Sequence, residues 1–222
     1  MDKILAIATN DATELKGKRT GLWLSELTHF LAVIEDAGFG YDLASPQGGR
    51  IPLDERSAVA AQLKDAVNAR YMANPAFKQR LEQSLSCSDV EPAQYVALYL
   101  SGGHGTMFDF RQSSALQRLI TTMYSADKYL SGVCHGVAGF VDAKDAGGRV
   151  IVTGKNVTGF SNFEDGLAGT KRLLPFLLED ALKQNGARYK KNLLPFTERV
   201  ELDGKLITGQ NPQSAAAVGR RL

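Results

Sequence analysis

Two short stretches of this chain bring together residue types that can do chemistry. The first is Leu130-Ser131-Gly132-Val133-Cys134-His135-Gly136. An apolar run reaches a cysteine, then a histidine, then a glycine that permits a sharp turn. A strand that turns into a helix at such a residue presents its side chain at the top of a sheet, as a nucleophile elbow does. A helix N-terminus favours thiolate at Cys134, and His135 supplies positive charge or an acid–base group. The second stretch is Ser101-Gly102-Gly103-His104-Gly105-Thr106. Its glycines let the backbone approach a ligand and turn N–H groups toward it. Neither the Rossmann nor the Walker spacing is met. A third candidate is Glu26, beside Leu27 in an apolar-striped segment with Trp23 and Phe30. Burial there raises a carboxyl toward the range of a general base. Each feature alone has an ordinary reading: a Gly-rich turn, an inert buried thiol, a surface glutamate. The two strand ends together favour the chemical one. Cys87 lies in the polar stretch 84–89 and reads as structural.

These residues need elements to position them. Ile4–Ala8, Phe39–Ala44, Tyr95–Ser101, Tyr129–Cys134, Val150–Thr153 and Leu206–Thr208 read as strands. Gly21–Ala37 reads as a helix, with Leu24, Leu27, Leu31 and Ile34 at helical spacing and Gly38 as a stop. Ser57–Arg70, Pro75–Leu85, Ser113–Tyr124, Leu173–Lys183 and Ser214–Arg221 read as further helices. Alternating strands and helices predict an α/β sandwich, a mostly parallel sheet with helices on both faces. Sites in such sheets gather at the carboxyl ends of the strands, where both chemical stretches fall. The 222 residues predict one domain, with the polar region 50–92 as a possible added lobe.

Hydrophobic residues at 44% and charged residues at 23% are ordinary globular usage and exclude a disordered or fibrous chain. A net charge of +2, without a cationic block, gives no ground for nucleic-acid binding. No apolar run approaches the roughly 20 residues of a membrane span. The N-terminus lacks a signal-peptide pattern. With only two cysteines, Cys87 and Cys134, the expectation is a cytoplasmic protein with free thiols.

The chain resembles the ThiJ/PfpI superfamily, and within it the glyoxalase III and heat-shock-chaperone branch. The blocks that carry the resemblance are Lys18-Arg19-Thr20-Gly21 with Glu26, the stretch Ser101–Asp109, Val133-Cys134-His135-Gly136, Val157-Thr158-Gly159-Phe160 and Leu206–Pro212. The resemblance implies a flavodoxin-like α/β sandwich. It implies Cys134 as nucleophile, Glu26 as the carboxylate on its sulfur and His135 as the adjacent acid/base. Asp165, or else Glu164, would orient His135. Gly102, Gly103 and His104 would contribute to the oxyanion and substrate site, with backbone N–H groups of Gly103 and His135 as donors. The implied activity is that of a lyase of the glyoxalase III (D-lactate dehydratase) type. It converts methylglyoxal and related 2-oxoaldehydes to 2-hydroxy acids without glutathione, metal or organic cofactor. A homodimer and a stress-response role come with it.

Four other readings compete. A class I glutaminase needs a histidine well downstream of the cysteine, and none follows His135. A cysteine peptidase is disfavoured, because a histidine adjacent to the cysteine looks poorly placed as its base. A holding chaperone or redox sensor would use the same thiol, which can oxidise. Repair of glycated molecules would share the same first adduct. Cys134, His135, His104 and Glu26 could mimic a zinc site. No metal is expected, because neighbouring side chains at a turn should diverge.

Overall fold

Along Ile4–Ala8 the side chains alternate between two cores, and this alternation organises the protein. Leu5 and Ile7 enter one cluster of 26 buried residues, whereas Ile4, Ala6 and Ala8 enter another of 22. The period of two is that of a strand buried on both faces. The computed structural model describes all 222 residues. Its main sheet has seven strands: β1 (Lys3–Ile7), β2 (Gly40–Ser45), β3 (Leu85–Ser86), β4 (Tyr95–Leu100), β5 (Tyr129–Val133), β6 (Val200–Asp203) and β7 (Leu206–Gly209). Their order is β6-β7-β5-β4-β1-β2-β3. Every neighbouring pair is parallel except β6–β7, an antiparallel hairpin at one edge. The chain runs outward from β1 to β2 and β3, then returns to the other side of β1 at β4. That reversal places a crevice at the carboxyl ends of the central strands.

One face is covered by α1 (Leu24–Asp36), α2 (Ala66–Ala73) and α3 (Pro75–Glu82). Leu24, Leu27, Phe30, Leu31 and Ile34 of α1 meet Tyr71, Phe77 and Leu81 there. Residues 50–92 therefore contribute side chains to this core. The opposite face is covered by α4 (Ser114–Ser125), by a 3-10 helix over Cys134–Phe140 and, beyond α5 (Asn162–Ala168), by α6 (Leu178–Gln184). α7 (Ala215–Gly219) returns to the first face, with Val218 in its core.

Several expectations are corrected. Val150–Thr153 is a turn and not a strand; only Val150 makes an isolated bridge, to Lys144. Ile151 and Val152 are apolar because they plug the core beside α4 and α6. Residues 57–70 do not form one helix. A short turn of helix, Ala60–Leu63, ends before α2, which begins anew with Asp65 as its side-chain cap. Residues 173–177, containing Pro175, stay outside α6. After Cys134 the chain forms a 3-10 helix and not an α-helix.

Candidate active site

Glu26 lies on the buried face of α1 because β4 holds the helix at that point. The Tyr99 hydroxyl donates to the Glu26 carbonyl at 2.7 Å, and the Tyr99 ring stacks on Phe30 with centroids 3.5 Å apart. The Glu26 side chain is fully buried. Its Oε2 accepts the Gly102 N–H at 2.8 Å. Its Oε1 has no nitrogen or oxygen partner, and the group beside the carboxyl is the Cys134 thiol. Burial, with no cation to offset it, pushes the Glu26 pKa up to about 8.

Cys134 directly follows β5 and lies in the left-handed region, at φ 55. A non-glycine residue there costs roughly 1–3 kcal/mol and persists only where its surroundings over-determine it. Here β5 is paired on both sides, to β4 and β7. Gly136 fits against the end of β4, where a Cβ would collide with the Leu100 carbonyl and lie 2.8 Å from Ser101 backbone. Gly103, at φ +110, has the matching constraint: a Cβ would strike the Gly21 carbonyl and lie 2.6 Å from the Trp23 nitrogen. These close approaches explain why both chemical stretches need glycine.

The left-handed turn folds the histidine back toward the sulfur. His135 Nδ1 lies 3.6 Å from Cys134 Sγ. This corrects the expectation that neighbouring side chains diverge, and with it the argument that His135 is badly placed as a base. On its other side, His135 Nε2 lies 3.2 and 3.4 Å from the two oxygens of Asp165. His104 Nε2 meets the same carboxylate at 3.3 Å and the Thr170 hydroxyl at 3.0 Å. Asp165 is fully buried, yet its two imidazole partners hold its pKa well below the usual carboxylate range. His104 is pushed down to about 4, first by burial and then by the charges of His135 and Arg56.

Burial is also the first cause acting on Cys134, followed by Glu26; both push the thiol up, and the His135 backbone N–H works against them. The thiolate expected at rest from a helix N-terminus is therefore corrected: the turn is short and the sulfur buried. Cys87 is buried in the opposite core, and desolvation pushes it to about 12. Of the two acids after Phe160, it is Asp165 that faces His135. Glu164 accepts from the Ser161 hydroxyl, the Phe196 N–H and the amides of Gln210 and Asn211 at 2.7–2.9 Å. With Ser161 it also forms the capping box that starts α5. Glu164 thereby fixes the helix that carries Asp165.

The Gly102 N–H is committed to Glu26, whereas Gly103 and the His104 ring border the cavity above the sulfur. This cavity of about 330 Å³ is walled by Trp23, Arg56, His135, Phe160 and Phe196 among others. Arg56 has no motif in the sequence to reveal it. Donor atoms of His104, His135 and Asp165 lie within 4.8 Å of one another. Both Nε2 atoms are hydrogen-bonded to the carboxylate, an arrangement of two imidazoles on one acceptor and not an open ligand set. Cys134 and Glu26 lie outside that group.

A mostly parallel sheet with a cysteine at a strained turn beyond a central strand, and a histidine–carboxylate pair behind it, is the architecture of a flavodoxin-like α/β protein. Residues 20–222 match the DJ-1/PfpI family, and the chain belongs to it. It is 30% identical to Glyoxalase 3 of Candida albicans over 97% of this chain and 94% of that protein. It is 29% identical to the glutathione-independent glyoxalase HSP31 of Saccharomyces cerevisiae, over 98% and 94%. The solved structure of Rapid Encystment Protein 24 KDa from Francisella tularensis superposes with a TM-score of 0.93 at 36% identity, covering 100% of this chain and 97% of that one.

Proposed function

We propose that the chain is a glutathione-independent glyoxalase that converts methylglyoxal and related 2-oxoaldehydes to 2-hydroxy acids through an adduct on Cys134. The observation that carries this reading is the placement of three groups around one sulfur: His135 Nδ1 at 3.6 Å, the buried Glu26 carboxyl beside it, and Asp165 behind the imidazole. The glyoxalase names of the full-length relatives support it.

His135 takes the thiol proton at Nδ1 as the sulfur bonds to the aldehyde carbon. The imidazolium is stabilised by Asp165. The aldehyde oxygen becomes the hydroxyl of a hemithioacetal after passing as an oxyanion, for which the Gly103 and His135 N–H groups are the assigned donors. Glu26 is protonated until pH about 8 and faces the sulfur as an acid. A base, Glu26 once ionised or neutral His135, removes the proton from the former aldehyde carbon to give an enediol. Return of a proton to the adjacent carbon gives a 2-hydroxy thioester. Water releases lactate and restores the thiol, so oxidation at one carbon balances reduction at the other.

The test is a lactate assay with several 2-oxoaldehydes in the absence of glutathione. Wild type should form the hydroxy acid and Cys134→Ser should not; undiminished turnover in Cys134→Ser would overturn the reading. A small-molecule substrate, a homodimer and a cytoplasmic location belong to the same proposal. No helix is long and apolar enough to cross a membrane. A solution mass of one chain would count against the dimer without touching the chemistry at Cys134.

A further inference from the structure

We infer that Arg56 is a positioning residue: its guanidinium fixes His104 as the neutral imidazole with its proton on Nε2, leaving His135 as the proton acceptor for Cys134. The inference rests on the Cys134–His135 chemistry proposed above. Arg56 Nη2 lies 3.2 Å from His104 Nδ1. A guanidinium has N–H groups and no lone pair, so it can only donate. Nδ1 must then accept, and the ring proton must sit on Nε2. That nitrogen faces two acceptors, Asp165 Oδ1 at 3.3 Å and Thr170 Oγ1 at 3.0 Å, which is where a proton is wanted.

The guanidinium is itself held. Asp54, fully buried, takes Arg56 Nε at 2.8 Å and Nη2 at 2.5 Å, and also the Arg56 backbone N–H at 2.9 Å. The loop is tied to the segment that leads into α1. Leu22 donates to the Pro52 carbonyl at 2.8 Å, Asp54 donates to the Leu22 carbonyl at 2.9 Å, and Leu24 donates to the Ser57 hydroxyl at 3.1 Å. The titratable and charged groups around His104 are Arg56 with Asp54 behind it, Asp165 on α5, and His135 with Cys134 beyond it on the 3-10 turn. The two imidazole rings are 4.3 Å apart. A proton on His104 would repel the imidazolium that His135 becomes when it takes the thiol proton. A fixed cation at Nδ1 prevents that by occupying the lone pair and repelling the charge. His104, pushed down to about 4, agrees.

The experiment is histidine-labelled NMR from pH 4 to 8 on wild type, Arg56→Met and Arg56→Lys, with the pH profile of kcat/KM measured alongside. In wild type, His104 Nδ1 should be unprotonated and the ring neutral well below pH 6. In Arg56→Met its midpoint should rise, but stay below the ordinary value of about 6.5, because burial and His135 continue to hold it down. The acid limb of kcat/KM should rise with it, lowering activity on the acid side of the profile, and Arg56→Lys should keep both low. Arg56→Met leaves Asp54 unpaired, so Asp54→Asn/Arg56→Met serves as a second variant without the buried charge. A protonated Nδ1 in wild type would overturn the inference. So would an unshifted midpoint in either folded Met variant. The spectra decide this whether or not 2-oxoaldehydes are turned over, so it fails separately from the glyoxalase reading.

Discussion

Glu26 and Asp165 are both fully buried carboxyls, yet they are driven in opposite directions. Asp165 has two imidazoles to share its charge, whereas Glu26 has one backbone N–H and a sulfur. Glu26→Gln keeps the shape and removes the titration. An amide can neither take nor give the proton that moves between the two carbons, so turnover should fall about 10²–10⁴-fold, the range for a lost general acid–base. Full activity in that variant would return Glu26 to a packing role. The same variant should lower the pH at which Cys134 becomes reactive toward iodoacetamide, because Glu26 pushes the thiol up. A midpoint that rises would show that the acid form of Glu26 instead favours thiolate. Both thiols are pushed up by burial, but Cys134 borders the cavity whereas Cys87 is set in the opposite core, so Cys87 should react more slowly with iodoacetamide.

α5 shows how an element aims a residue. Its Ser161–Glu164 capping box fixes the first turn, and Asp165 follows directly. Ser161→Ala should cost about 1 kcal/mol, or roughly 2–4 °C in Tm for a domain of this size. Activity should fall further than that stability loss explains, since the acceptor behind His135 loosens. Equal activity per folded molecule would show that Asp165 is held by its histidines alone. This helix carries little sequence signal because it is short, holds Gly166 within it and stops at Gly169, although S-x-x-E is a usable start signal. The elements with strong period were legible: the YVALYL run of β4 and the leucine spacing of α1. β6 was not, since VELD at a sheet edge is only half-buried and carries little pattern. Val150–Thr153 misled because core burial makes turn residues as apolar as strand residues. At the site, Cys134, His135 and Glu26 were legible by type and context. Arg56 was not, because Asp54-Glu55-Arg56 looks like any solvated loop until the fold brings it to His104.

At the scale of the whole molecule, these buried groups write a pH dependence into stability. His104 is held at about 4 against an ordinary 6.5, so folding favours its neutral form. That contribution is complete above pH 6.5 and is lost as pH falls toward 4. Asp165 acts in the same sense at lower pH: its depressed pKa contributes above the ordinary carboxylate value and is lost on acidification. Glu26 runs the other way. Raised from 4.5 to about 8, it favours the fold below pH 4.5, and that advantage drains away as pH rises to about 8. The unfolding free energy of Glu26→Gln relative to wild type should therefore climb between pH 5 and 8, by an amount on the order of a few kcal/mol. A difference that stays flat with pH would mean that Glu26 is solvated more than its burial implies.

The strand order has a further consequence, one of timing. β5, which leads directly into Cys134, has β7 as its partner on one side, and β7 comes from Leu206–Gly209. Ribosomes extend a chain at roughly 5–20 residues per second. The sulfur thus leaves the ribosome several seconds before the strand that flanks it and the amides of Gln210 and Asn211 that brace Glu164. During that interval the thiol lacks its finished enclosure and meets whatever aldehydes and oxidants the surroundings hold. The unfinished chain, not the completed enzyme, is the form most open to damage, and the rate of synthesis sets how long that vulnerability lasts.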